Sequence, residues 1–306
     1  MSISPVLRLL GAAAVVVLSG ASPAISKPQK TNDICPNGTL TFGAPGYVKV
    51  DDPTKAYDYF VKMMEAKTGC HIAIHIATSL NGQIDDLRDD KFDFGPMRSS
   101  NYVLAHDQGL AEAVATRSNK EGTAPYSETA SIVVKADSPY HTLADLKGQK
   151  FGYSDTASDT GAIFPRYALG HAGLDPDAGV VPVYAMRHKY TFLFLKDGIV
   201  DAAEINTRVE DQNAKDPNYK ASDYRVLWKS QPIPYNPIVV RSGLSASAKA
   251  KLTQALLSLD LSQIPDPEGW FWKPKLVPVN DATYAMFRDA IREGKFNTVS
   301  MPGNFP

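Results

Sequence analysis

Cysteine and tryptophan are scarce in this chain, with two and three copies among 306 residues, and neither sign of charge predominates. Thirty-two Lys and Arg meet 33 Asp and Glu, a formal net charge of −1. That balance removes the electrostatic footprint expected of a nucleic-acid binder. Long apolar runs are equally rare. The only one, residues 9–18, is well short of the roughly 20 residues that a membrane span needs. No G-x-S-x-G turn, no Gly-rich P-loop and no Cys/His zinc spacing occurs. His71 and His75 are four positions apart, but they fall in an alternating strand pattern. At about 3.3 Å per strand residue they would stand roughly 13 Å apart, too far to share an ion. An exported enzyme such as a phosphatase is left without a recognisable nucleophile–base pair or metal cluster.

What is present begins at the N-terminus. Arg8 is the only charge before Lys27, and an Ala/Val-rich apolar run follows it. Small residues come next: Ser19, Gly20, Ala21, Ser22, Ala24 and Ser26. A charged start, a short apolar core and a small-residue exit predict a secretory signal peptide over residues 1–26, with Ala24 or Ser26 at the cleavage point. No cysteine stands there to carry a lipid. Without that segment 31 basic and 33 acidic residues remain, a formal charge of −2. In an oxidising compartment Cys35 and Cys70 are expected to form one disulfide that ties down the mature N-terminus; the alternative is two free thiols.

Strand and helix patterns alternate from Thr39 onward. Residues 39–44 read as a strand. Residues 53–67 read as a helix, with Tyr57, Phe60, Val61 and Met64 at helical spacing and Gly69 as its stop. A strand at 71–77, a short helix at 82–89 and a buried strand at 92–95 complete a βαβαβ order, which implies a parallel sheet covered on both faces. A second series follows: strand 151–154, helix 161–170, strand 180–183, helix 190–197 closed by Gly198, and strands 200–205 and 224–228. SIVVK (131–135) and PIVVR (237–241) bracket this series, and helices at 246–259 and 281–293 end the chain. Trp270, Phe271 and Trp272 read as packing of the C-terminal region. The pattern predicts an α/β protein of two lobes. Residues 27–135 and 237–306 would form a discontinuous first lobe and residues 136–236 the second. The chain would cross near 131–135 and 232–241, making a two-strand hinge of the kind that places ligands between domains.

The most informative stretch is 143–165, LADLKGQKFGYSDTASDTGAIFP. A strand runs into Ser158, Asp159, Thr160 and Gly161, and a helix follows directly. The hydroxyls can donate, Gly161 would let a ligand approach the backbone, and the first helical N–H groups and the helix dipole favour an anion. Ser and Thr also cap ordinary helices, so this turn alone does not decide between a cap and a site.

The stretch resembles the S-T-S-G loop of the periplasmic phosphonate/phosphite/phosphate-type substrate-binding proteins of ABC transporters. Other segments resemble the same family in order: Ala44-Pro45-Gly46-Tyr47, Asn101-Tyr102-Val103-Leu104-Ala105, Ala136-Asp137-Ser138 with Leu143 to Gly148, GIVDAA at 198–203, and LWKSQPIPYNPIVVR at 227–241. The resemblance implies a type II periplasmic-binding-protein fold and a small phosphorus oxyanion in the cleft. Its implied partners are an ABC transporter membrane permease and its ATPase. A periplasmic monomer without cofactor or catalytic residues is expected. Tyr47 and Tyr102 would line the first lobe's side; Ser158 and Thr160 would hold the anion from the second; His188 stands where the family often places a ligand histidine, or is a solvated residue before a helix. Two departures matter. Asp159 replaces the loop's middle Thr: it either accepts a hydrogen bond from a protonated ligand oxygen, which would reject sulfate, or faces solvent and supports the helix dipole. Arg208 and Asn236 stand where relatives that take aminoalkylphosphonates have acidic residues, so an ammonium tail is disfavoured and a carboxylate or second anionic group is favoured, with Glu204 close enough in sequence to restore an amine site. Alternative readings are a protein that presents a different small anion to a sensor, or an exported phosphatase-like enzyme.

Overall fold

The computed structural model describes residue 1 and residues 32–45, 55–78, 82–156, 158–263 and 275–294. The expected signal peptide beyond Met1, Tyr47, and Trp270, Phe271 and Trp272 lie outside the described residues.

The strands and helices in chain order are β1 (Thr39–Ala44), α1 (Asp58–Thr68), β2 (His71–Ile76), α2 (Gly82–Arg88), β3 (Phe94–Pro96), α3 (Ser99–Asp107), β4 (Ala111–Arg117), β5 (Ser127–Glu128), β6 (Ala130–Lys135), β7 (Lys150–Tyr153), α4 (Phe164–His171), β8 (Val181–Tyr184), α5 (His188–Lys196), β9 (Ala202–Asn206), α6 (Thr207–Asn213), β10 (Tyr224–Lys229), β11 (Ile233–Pro234), β12 (Pro237–Arg241), α7 (Ala246–Leu257), β13 (Leu276–Pro278) and α8 (Met286–Glu293). They form two mixed sheets, ordered β13-β4-β12-β3-β1-β2 and β10-β6-β9-β7-β8, plus the two-stranded pair β11-β5.

The first sheet forms around Phe42. Its ring lies 5.1, 5.2 and 5.4 Å from those of Tyr57, Phe60 and Phe94, all buried, so the helical spacing read from the sequence faces β1 as expected. Gly69 ends α1 with φ of 68° and donates its N–H to Glu65 O at 2.8 Å, a left-handed cap that suits glycine. Cys70 follows immediately and is joined to Cys35, as expected.

The parallel pairing expected of the βαβαβ order holds: β1 pairs parallel with β2 and β3, and in the second sheet β7 pairs parallel with β8 and β9. β12 returns from the second sheet and inserts antiparallel between β3 and β4. Its four leading residues are buried, so its apolar run wants a central position. β4 went unread because its sequence AEAVATR is rich in alanine, a weak strand signal.

The chain passes between sheets at β5 and β11, where Ile233 pairs with Glu128 and Pro234 with Ser127. The SIVVK stretch, expected to be a crossing, lies wholly inside the second sheet between β10 and β9. Five of the six β6 residues are buried, which explains why it occupies the interior of a sheet and not a connection. The C-terminal elements pack back: α7 on α1, β4 and β13, and α8 on both α3 and α4.

Candidate functional site

β7 delivers the chain to the Ser158 turn. Ser158 is extended (φ −73°, ψ 126°), and its Oγ accepts from Gly161 N at 3.1 Å. Its carbonyl accepts from both Ala162 N and Ile163 N, at 2.9 and 3.1 Å, so residues Asp159–Ile163 wind as one wide π turn before α4. Such turns recur at functional sites. The role of Gly161 differs from the expectation of ligand approach. A Cβ there would lie 1.7 Å from Ser154 Oγ and 2.8 Å from His188 Cε1, so glycine is needed to let those two side chains close in. Ser154 Oγ itself is sealed from solvent, with no hydrogen-bond partner among the described residues.

His188 begins α5. The preceding Met186 holds a left-handed conformation (φ 65°), unusual for a non-glycine residue, and donates its N–H to Ser154 O at 3.0 Å. This fastens the start of α5 to the end of β7. His188 Nε2 is 3.3 Å from Ser158 Oγ, while Nδ1 meets the Glu204 carboxylate at 2.9 and 3.0 Å. Glu204 is fully buried on β9. Burial alone would push the imidazole down, but the Glu204 carboxylate beside it overrides that and holds His188 above the usual histidine value. The solvated alternative for His188 is therefore not what the fold builds. The sequence reading found no nucleophile–base pair; the fold assembles Ser158, His188 and Glu204 from three separate elements into one hydrogen-bonded row.

The N-terminus of α3 faces this turn from the other sheet. Arg98 occupies the N-cap position of α3, and the Ser99 and Ser100 amides and the Ser100 hydroxyl are directed toward the Asp159 carboxyl. Asp159 Oδ1 is sealed from solvent and has no hydrogen-bond partner among the described residues. Burial pushes this carboxyl up to about 6, against the opposing pull of Ser100, Arg98 and the two amides. Against the solvent-facing alternative, the half-buried Asp159 turns its carboxyl toward the start of α3. Asn236 supports the same helix start, with Oδ1 accepting from Ser99 N and Oγ at 3.3 and 3.4 Å.

The hinge pair forms the third wall. Glu128, buried on β5, accepts from Asn206 Nδ2 at 3.3 Å and Arg208 at 3.4 Å. The Arg117 guanidinium carbon stands 4.0 Å from the ring centroids of both Tyr126 and Tyr235. The charges of Glu128 and Arg208 both reach His188, so the hinge wall and the Ser158 turn share one electrostatic environment.

Of the residues singled out from the sequence, Ser158, Asp159, Gly161, His188, Arg208 and Asn236 are linked by hydrogen bonds, close approach or shared charge, and Thr160 is buried in the same turn. Tyr102 is not part of this group. Its side chain is completely buried, stacked edge-on against Tyr284, with its hydroxyl donating to Asp281 at 3.2 Å; it packs α3 against the C-terminal segment. Sequence reading missed Arg98, Ser99, Ser100, Arg117, Tyr126, Glu128, Ser154 and Tyr235. The single available signal was the Arg98-Ser99-Ser100 run ahead of a helix. Among the described residues no cluster of His, Cys, Asp and Glu could hold a metal ion, and no helix is long and apolar enough to cross a membrane.

Two α/β sheets joined by a short strand pair, with polar groups converging between them, define a periplasmic-binding-protein fold of type II. A family model described as the periplasmic phosphonate substrate-binding protein of ABC transporters matches residues 42–294, and the chain belongs to that family. It is 24% identical over 299 residues to the "Phosphate-import protein PhnD" of Mycolicibacterium smegmatis, covering 89% of this chain and 91% of that protein. Its fold is similar to PhnD1 from Prochlorococcus marinus in complex with methylphosphonate (TM-score 0.62, 18% identity, 84% and 98% of the two chains). A binding-protein component of an ABC phosphonate transporter from Pseudomonas aeruginosa is also similar (TM-score 0.59, 23% identity, 88% and 90%).

Proposed function

We propose that the protein captures a small phosphorus oxyanion of the phosphonate or phosphite type in the gap between the α3 start and the Ser158 turn. It would hand that ligand to an ABC importer, a permease with its ATPase, after export to the periplasm and removal of residues 1–26. The observation that carries this is the convergence of two helix starts on one point. Ser158, Thr160 and His188 stand on one side, and Arg98, Ser99 and Ser100 on the other. Helix starts supply unpaired N–H groups and positive dipole ends, and hydroxyl, imidazolium and guanidinium donors add charge-assisted bonds. The Glu204–His188 pair has a definite task. With Ser158 Oγ accepting from Gly161 N–H and from a protonated His188, its own hydrogen is left to point at the ligand. On the tail side, the guanidinium groups of Arg117 and Arg208 stand with Glu128 and offer donors to an anionic group. That favours a short or acidic tail over an aminoalkyl one.

Calorimetric titration with phosphite, methylphosphonate, phosphonoacetate, aminoethylphosphonate, phosphate and sulfate tests the reading. Saturable binding of one of the first three, tighter than aminoethylphosphonate and sulfate, is expected. Binding of none of the six, or of sulfate alone, overturns it. A second reading, an exported hydrolase, is favoured by the Ser158–His188–Glu204 row, since a serine beside a carboxylate-oriented imidazole is the arrangement of an activated nucleophile. Covalent labelling of Ser158 by a fluorophosphonate separates the two: the binding-protein reading expects none.

A further inference from the structure

We propose that Asp159 and the bound oxyanion share one proton, so that the site takes oxyanions able to carry a proton and turns away those that cannot. The inference rests on the oxyanion reading above and names the feature of the ligand that this particular chain selects.

The geometry is specific to one side chain. Asp159 opens the π turn on one side of the gap, yet the groups donating toward its carboxyl, the Ser99 and Ser100 amides and the Ser100 hydroxyl, belong to the opposite side. The carboxyl therefore sits among the donors that would hold an anion, and Oδ1 remains enclosed without a partner among the described residues. A buried oxygen left in this state is an open hydrogen-bonding position. The charged and titratable groups around it are Arg98 from α3 and, behind Ser158, His188 with its partner Glu204 on β9. An ionised carboxylate can only accept hydrogen bonds. A fully ionised oxyanion entering the same gap also brings only acceptors, and two such anions in contact cannot both stay ionised. One proton between them resolves the conflict and gives Oδ1 its missing bond. Whether the proton rides on the ligand or on Asp159, the complex holds the same number of protons, and a binding titration sees one macroscopic state.

The chemical class follows. Phosphonate, phosphite and phosphate monoanions bring the proton themselves. Sulfate and sulfonates do not, so Asp159 must be protonated from solvent, and its value of about 6 makes this harder as pH rises. Above that value, affinity for a sulfonate should fall about tenfold per pH unit, reaching about 100-fold near pH 8. Affinity for a phosphonate should stay level until the ligand's own second ionisation.

The test titrates the purified protein and its Asp159→Asn and Asp159→Thr variants with methylphosphonate and methanesulfonate from about pH 5.5 to 8.5. Any contribution of His188 is common to both ligands and all three proteins, so the ratio of the two affinities isolates Asp159. Expected is a wild-type preference for methylphosphonate that widens with pH, and a gain in methanesulfonate binding of about 100-fold near pH 8 in either variant. Thr keeps the test alive if Asn fails to fold. A wild-type protein that binds methylphosphonate with a pH-independent preference, or variants that gain no sulfonate binding, overturn the shared proton while leaving the oxyanion reading in place. If the wild type binds neither ligand at any pH, the oxyanion reading falls first and takes this inference with it.

Discussion

Replacing Glu204 by Gln removes a charge that is completely buried beneath His188 and changes almost nothing else. The amide can still accept from Nδ1 but can no longer favour the imidazolium. Burial, the largest influence and joined by the Arg208 charge, then outweighs the Glu128 charge and pushes the His188 value below the ordinary 6.5. In the wild type the value is raised, so its stabilising effect is full below 6.5 and is lost as pH rises through the folded-state value. In the variant the sign reverses: below 6.5 the unfolded chain binds a proton that the folded one refuses. One pH unit below 6.5 that reversal alone costs about 1.4 kcal/mol. Breaking a fully buried pair would cost roughly 3–5 kcal/mol. His188 keeps 26% of its side-chain surface exposed and can shed its proton, so the lower part of the range applies. The expected excess destabilisation at about pH 5.5, relative to pH 8.5, is therefore roughly 1.5–3 kcal/mol. Urea unfolding at both pH values measures it, and methylphosphonate affinity should fall about tenfold alongside as Ser158 loses its orienting donor. Equal destabilisation at the two pH values, or a larger loss at the alkaline one, would refute a charged His188 held by Glu204.

Other outcomes follow from the same contacts. Cys35→Ser opens a loop of 35 residues and should lower stability by up to about 4 kcal/mol by the loop-entropy relation, read by non-reducing urea unfolding; an unchanged midpoint would contradict a structural bridge. Arg208→Ala should weaken phosphonoacetate by about tenfold or more, the value of a charge-assisted bond, with methylphosphonate much less affected; equal losses for both ligands would remove Arg208 from the tail side.

Much of the fold was legible because its strands carry strong signals. Thr39–Ala44 and Pro237–Arg241 stand where their β-branched and aromatic runs placed them. The failures have physical causes. Ala111–Arg117 has alanine at three of its seven positions, and Ala130–Lys135 shows no mark distinguishing a central strand from a crossing, since both are apolar. On the site, the second-lobe half was readable because strand, hydroxyl turn and helix are contiguous in sequence. The first-lobe half was not, because Asn236 reaches Ser99 across 137 positions and Asp159 meets Ser100 across a sheet boundary. Tyr102 shows the converse hazard: a motif match placed it in the cleft, while helical phase turned its ring into the core against Tyr284. His188 and Glu204 were noticed separately, but only the pairing of α5 with β9 makes them one unit.

The oxyanion site itself is tested most directly at Thr160. It is buried in the first turn beside Ser158, and Thr160→Val keeps its shape while removing the hydroxyl. One lost hydrogen bond to a charged group corresponds to about 1.5–3 kcal/mol, so methylphosphonate affinity measured by calorimetry should fall roughly 10- to 150-fold, with unliganded melting little changed. Unaltered affinity with a lowered unliganded melting point would make Thr160 a packing or capping residue and contradict an oxyanion held at this turn.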